Sequence, residues 1–303
     1  LREAYNNCRS KISAYHTELG QNAGLFGAFT AIAEGPEYQQ LDSAQRKVID
    51  DALRDFRLTG IDLPKERKER FKAISQELSR LTSRFDENLL DATHGWKKSV
   101  TDENRLAGLP DSAKGLLHQY AEREKLDGWL VTLEFPSYYA IMTHADDRQL
   151  REEVYQAFST RASDCGPQAG EWDNSGIMED ILRLRHEQAE LLGFANYAER
   201  SLATKMAETP QQVVDFLRDL AGRSIALARH ELDELTAFAR ERDGLQTLQA
   251  WDIGYYAEKL RQARYNFSQE ELKPFFPAER VISGMFSVVK RLYGIDIREV
   301  EGV

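Results

Sequence analysis

Cysteine is scarce in this 303-residue chain: Cys8 and Cys165 stand far apart and make no C-x-x-C pair. That is the usage of a protein in a reducing compartment, so a cytoplasmic location is expected. Long apolar runs are missing as well. The longest uncharged one, Ala23 to Ala33, is broken by Gly24, Gly27 and Thr30 and falls far short of the ~18 residues a membrane span needs. Positive charge is outnumbered, 40 basic against 50 acidic residues, for a net charge of −10 and a pI near 5.3. A chain that neutralises phosphates needs the opposite sign, which argues against nucleic acid as a partner. No serine stands in G-x-S-x-G, and neither G-x-G-x-x-G nor a glycine loop ending in G-K-[ST] occurs. A sequence-local nucleophile elbow and a nucleotide cradle are thereby absent.

What the sequence has is helical periodicity and enough apolar residues, 42%, to bury a large core. Phe71, Ile74, Leu78, Leu81 and Phe85 recur at steps of three or four, giving one buried stripe on a helix that opens at Pro64. The run Lys65 to Arg70 mixes both signs and reads as solvated surface. Thr209, Pro210 and Gln212 form an N-cap, first-position proline and capping-box partner for a helix running to about Arg242. Ser268-Gln269-Glu270-Glu271 repeats the capping pattern. After Pro277, residues Val281, Ile282, Met285, Val288, Val289 and Leu292 define a last helix that stops at Gly294.

One stretch departs from this period. Trp129 to Phe135 alternates β-prone residues, Pro136 separates it from Tyr138 to Thr143, and Trp96 to Val100 supplies a further strand candidate. A small antiparallel sheet is expected there, within a mainly α fold. A glycine- and proline-containing loop, Asp164 to Gly176, divides two helices and is the expected mobile segment. Leu1 to Leu19 is already helical, and Ile295 to Val300 begins a new extended stretch, so both ends are expected to lie inside longer elements.

The six histidines, His16, His94, His118, His144, His186 and His230, are never closer than 24 positions. H-E-x-x-H, which sets two imidazoles on one helical turn to hold zinc, is therefore absent. Two partial matches remain, His186 with Glu190 and His230 with Glu234. Either a spatial metal cluster or ordinary solvated i,i+4 contacts would account for them. Aromatic groups at Tyr138-Tyr139 and at Trp251, Tyr255 and Tyr256 fit core packing or a ligand platform.

Longer segments carry a more specific signal. LLGFANYAERSLATKMAETPQQVVDFL (Leu191 to Leu217) and AWDIGYYAEKLRQARYNFSQEELKPFFPAERVISGMF (Ala250 to Phe286) resemble the thimet oligopeptidase family of zinc metallopeptidases. ALRDFRLTGIDLP (Ala52 to Pro64), RFDENLLDAT (Arg84 to Thr93) and LREEVYQAFSTRASD (Leu150 to Asp164) extend the resemblance over essentially the whole chain.

The resemblance implies a helical, two-lobed protein with a deep channel, a zinc ion on its floor, and hydrolysis of short unstructured peptides. It implies an N-terminal helical region over 1–146 and the start of the peptidase region over 147–303. The family carries its zinc on H-E-x-x-H beyond the part matching Val303. The expectation is therefore a truncated piece, inactive alone, with no catalytic or metal residue of its own and zinc only in the parent. Trp251, Tyr255 and Tyr256 would brace the channel wall, and the isolated piece would tend to self-associate. A stand-alone, non-catalytic peptide-binding module is the competing expectation.

Overall fold

A computed structural model describes residues 2–266 and 269–300. Its helices, in chain order, begin with α1 (Arg2–Gly20), α2 (Ala23–Glu34), α3 (Ser43–Leu58) and α4 (Lys65–Gly95). Strand β1 (Lys97–Val100), α5 (Asp111–Arg123) and β2 (Trp129–Thr132) follow, then α6 (Phe135–His144), α7 (Arg148–Ser159), α8 (Ser175–Leu191) and α9 (Tyr197–Leu202). The chain ends with α10 (Pro210–Asp243), α11 (Ala250–Tyr265), α12 (Gln269–Leu272) and α13 (Ala278–Tyr293). The fold is mainly α with one two-stranded antiparallel sheet among the described residues. The capping pattern expected at Ser268 lies outside them.

Two compact units divide the chain, 1–96 with 156–228 and 97–155 with 229–303. In the first, α4 is the central helix. Its predicted stripe is buried at Phe71, Ile74 and Leu81, and Ile74 and Leu81 pack against Ile181 and Leu184 of α8. Polar ties fix the register of the neighbouring helices. Asn88 donates to Asn174 at 2.9 Å, Gln188 to Ser75 at 3.1 Å, and Arg70 forks onto Glu187, so α8 runs antiparallel to α4. On α1, Arg2 forks onto Asp91 and Lys72 reaches Glu18 at 2.6 Å, which sets that helix antiparallel too.

The segment between α7 and α8 is pinned near its end. The buried Asn174 side chain donates to the Phe85 carbonyl at 3.1 Å, while its backbone N–H donates to the Ala162 carbonyl. Gly95 is required opposite this segment, since a Cβ there would come within 2.3 Å of the Trp172 ring.

In the second unit, β1 and β2 pair with Lys97 opposite Thr132 and Val100 opposite Trp129. Tyr138 to Thr143, expected as a strand, is instead the body of α6. Pro136 sits in its first turn, where a preset φ favours the helix and no N–H is missed. The Ser137 hydroxyl accepts the Thr132 N–H at 3.0 Å, closing the strand-to-helix corner. Ala140, Ile141, Met142 and Thr143 are all buried, and the exposed positions include the aromatic Phe135 and Tyr139, so the sequence shows no polar face and the helical period is invisible in it.

The other termini behave as the sequence predicts, with one refinement. The Thr209 hydroxyl accepts the Gln212 N–H at 3.2 Å, but the Gln212 side chain reaches back to the Glu208 N–H rather than to that of Thr209. Helix α13 ends on Gly294 in the left-handed conformation. Residues 295–300, where a new extended stretch is expected, are assigned to neither helix nor strand. No helix among the described residues is long and apolar enough to cross a membrane.

Candidate functional site

The aromatic group singled out in sequence lies on α11, in the second unit. Gln249 caps this helix, and its N–H donates to Asp252 at 3.0 Å in a capping box. Asp252 is fully buried and two arginines from α7 enclose it: Arg148 at 2.8 Å and Arg151 at 3.0 Å. Burial pushes the Asp252 carboxyl pKa up, but the hydrogen bonds from Arg148, the Gln249 N–H and Arg151 outweigh it and hold it below the ordinary range. Arg151 is itself buried and also donates to the Ala145 and Trp251 carbonyls at 2.7 and 3.2 Å. A buried charge network with every partner in place is rigid, because any lost partner leaves an uncompensated charge.

The two tyrosines are part of this clasp. Tyr255 and Tyr256 are buried against Leu235 and Ala239 of α10. The Tyr255 hydroxyl donates to Asp146 at 2.8 Å, and the Arg151 guanidinium lies 4.1 Å above its ring. The Tyr256 hydroxyl donates to Asp243 at 2.9 Å. Burial first, and the carboxylate partner second, raise both phenols: Tyr255 far above its ordinary range and Tyr256 to about 12. Both phenols are therefore held protonated near neutrality, with their protons directed to carboxylates within the protein. Trp251 is half-buried, its ring centroid 5.9 Å from that of Tyr155 and 5.9 Å from the Arg148 guanidinium, and its indole N–H has no acceptor among the described residues. The structure therefore brings the three aromatic residues together as packing groups.

The partial metal motifs do not converge on a site. His186 faces Glu190 at 3.5 Å on an exposed surface of α8, the solvated i,i+4 contact weighed above. Glu234 is paired with Arg264 instead of His230. Among the described residues no three of His, Cys, Asp and Glu gather to hold an ion.

Sequence reasoning missed Arg148, Arg151, Asp146 and Lys259, the last 3.4 Å from Asp146. Their partners lie about a hundred positions away along the chain, beyond any local pattern. The one local trace is Asp252 at the third position of a helix, where a carboxylate caps.

Comparison with known proteins decides the family. The family model described as peptidase family M3 matches residues 141–303, and one described as the N-terminal domain of neurolysin and thimet oligopeptidase matches residues 1–68. The chain belongs to peptidase family M3. Among M3 relatives, oligopeptidase A of Escherichia coli (strain K12) is 52% identical over 303 residues, all of this chain and 45% of its own length. Oligopeptidase A of Haemophilus influenzae is 49% identical over all of this chain and 44% of its own. A probable cytosolic oligopeptidase A of Arabidopsis thaliana is 38% identical, again over 44% of its length. The chain spans less than half the length of these curated relatives. M3 enzymes are zinc-dependent metallopeptidases, and the donor set described above does not fit a zinc ion, so no chemical step is assigned to these residues.

Proposed function

We propose that this chain is the N-terminal part of a zinc oligopeptidase of the oligopeptidase A kind, which in complete form hydrolyses short unstructured peptides. The 52% identity over every residue, against 45% of the relative's length, carries this reading. None of the 303 residues forms H-E-x-x-H, so the zinc and its general base belong to the remainder and this portion alone hydrolyses nothing.

Residues 1–146 make the N-terminal region and 147–303 the start of the peptidase region, a division supported by the family match that begins at 141. Trp251, Tyr255 and Tyr256 brace the wall of the substrate channel without touching peptide. Their support is the clasp that spends both phenols internally. Two free, exposed cysteines support a reducing, cytoplasmic setting. On α13, Val281, Ile282, Met285, Val288 and Leu292 are each about half exposed or more, which supports self-association of the isolated piece.

The test is hydrolysis of a quenched fluorescent oligopeptide by the purified chain with added zinc. The expected rate is that of buffer. Turnover that a chelator abolishes would refute the assignment of the metal site to the remainder.

A further inference from the structure

The groove between α4 and α8 has the lining of a small binding site. It encloses about 320 Å³, the lower end of ligand-pocket sizes, and lies wholly within the first unit. Its floor is apolar: Phe85 from α4 with Met178, Ile181 and Leu182 from α8. Met178 and Leu182 are 47% and 65% exposed, so the floor is open to a ligand. Two opposite charges line the same groove, Asp86 and Arg185. Among the described residues neither takes part in an ion pair or hydrogen bond.

Arg185 is nevertheless held in place. Its guanidinium lies 5.0 Å above the Tyr197 ring, and Arg200 lies 5.8 Å from the same ring with a buried Nε that finds no acceptor. A stacked guanidinium keeps its N–H edges free for a planar, bidentate acceptor such as a carboxylate. The second cation adds to the local positive potential. Asn88 opposite Asn174, and Ser75 opposite Gln188, set the antiparallel register of the two helices. Asp86 then stands level with Gly176, nine residues and ~13 Å of helix from Arg185. Side chains lean toward the N-terminus of their own helix, so on antiparallel helices these two lean toward each other. The gap left is about that of two or three extended residues, at ~3.3–3.6 Å each.

We propose that this groove binds a short apolar peptide of two or three residues as its zwitterion. The carboxylate sits on Arg185, the ammonium on Asp86, and an apolar side chain on the Phe85–Leu182 floor. The site does not rest on the peptidase reading, because binding is read on the 303-residue chain without zinc and without hydrolysis.

The test is calorimetric titration of that chain with the tripeptide Ala-Leu-Ala, free, N-acetylated and C-amidated. One saturable site is expected, with each blocking group weakening binding about tenfold, as loss of a charge-assisted hydrogen bond would. Asp86→Asn changes an exposed position and should abolish the penalty of acetylation while leaving that of amidation. Arg185→Gln should do the converse, and Leu182→Asp should abolish binding of all three peptides. Absence of saturation, equal binding of free and blocked peptides, or an Asp86→Asn variant that still discriminates against acetylation would overturn the proposal.

Discussion

The clasp around Asp252 yields the sharpest prediction about this protein's stability. Asp252→Ala removes a carboxylate that is 0% exposed and receives hydrogen bonds from Arg148, Arg151 and the Gln249 N–H. The two arginines are left in different positions. Arg148 is 43% exposed and returns to water at little cost, whereas Arg151 is only 2% exposed and remains buried without its counter-charge. Stranding one buried charge costs about 3–5 kcal/mol, and loss of the cap adds about 1 kcal/mol. Urea denaturation followed by the fluorescence of Trp251 and its neighbours should therefore show a loss of about 4–6 kcal/mol for Asp252→Ala.

The pH dependence has a fixed sign. A carboxyl whose folded pKa is depressed contributes fully above its unfolded value, about 3.9, and loses that contribution as the pH falls through the lower folded value. Wild-type stability should fall in that acid window, and the variant should fall less. A loss under about 1 kcal/mol, or an unchanged acid profile, would refute the reasoning.

Other substitutions test separate parts of the account. Ile74→Ala empties a position with no exposed surface in the α4–α8 core and should cost about 2–5 kcal/mol in the same denaturation assay. Gly95→Ala drives a Cβ to within 2.3 Å of the Trp172 ring and should cost about 1–3 kcal/mol, read as a lowered melting temperature. In an alkaline titration monitored by tyrosinate absorbance, Tyr256 should ionise only at about pH 12, with Tyr255 no earlier. Stability tied to these phenols is fully present below their unfolded value near 10 and is lost as the pH rises from there through the raised folded values. Tyr256→Phe should remove one late equivalent from the curve.

The parts of the fold legible in sequence are those governed by local rules. The α4 stripe, the Thr209 cap and the Gly294 stop all follow from spacing within a few residues, and the structure has each where it is expected. Tyr138 to Thr143 was illegible because the exposed side of its helix carries aromatic residues, Phe135 and Tyr139, in place of charged ones, which erases the polar face that marks a period of 3.6. The clasp was illegible for a different reason: Arg148 and Arg151 meet Asp252 across more than a hundred residues, and only folding brings them together. His186 and His230 show the reverse hazard, since helical spacing placed each beside a carboxylate that makes no metal site here. Family membership was legible in the words of Leu191 to Leu217 and Ala250 to Phe286, which fall within the stretch matched to family M3.

The most direct test of the central claim is to determine the coding frame beyond Val303. The account predicts continuation through an in-frame H-E-x-x-H on a helical segment. A stop codon directly after Val303 would contradict it and leave a peptide-binding module without catalysis.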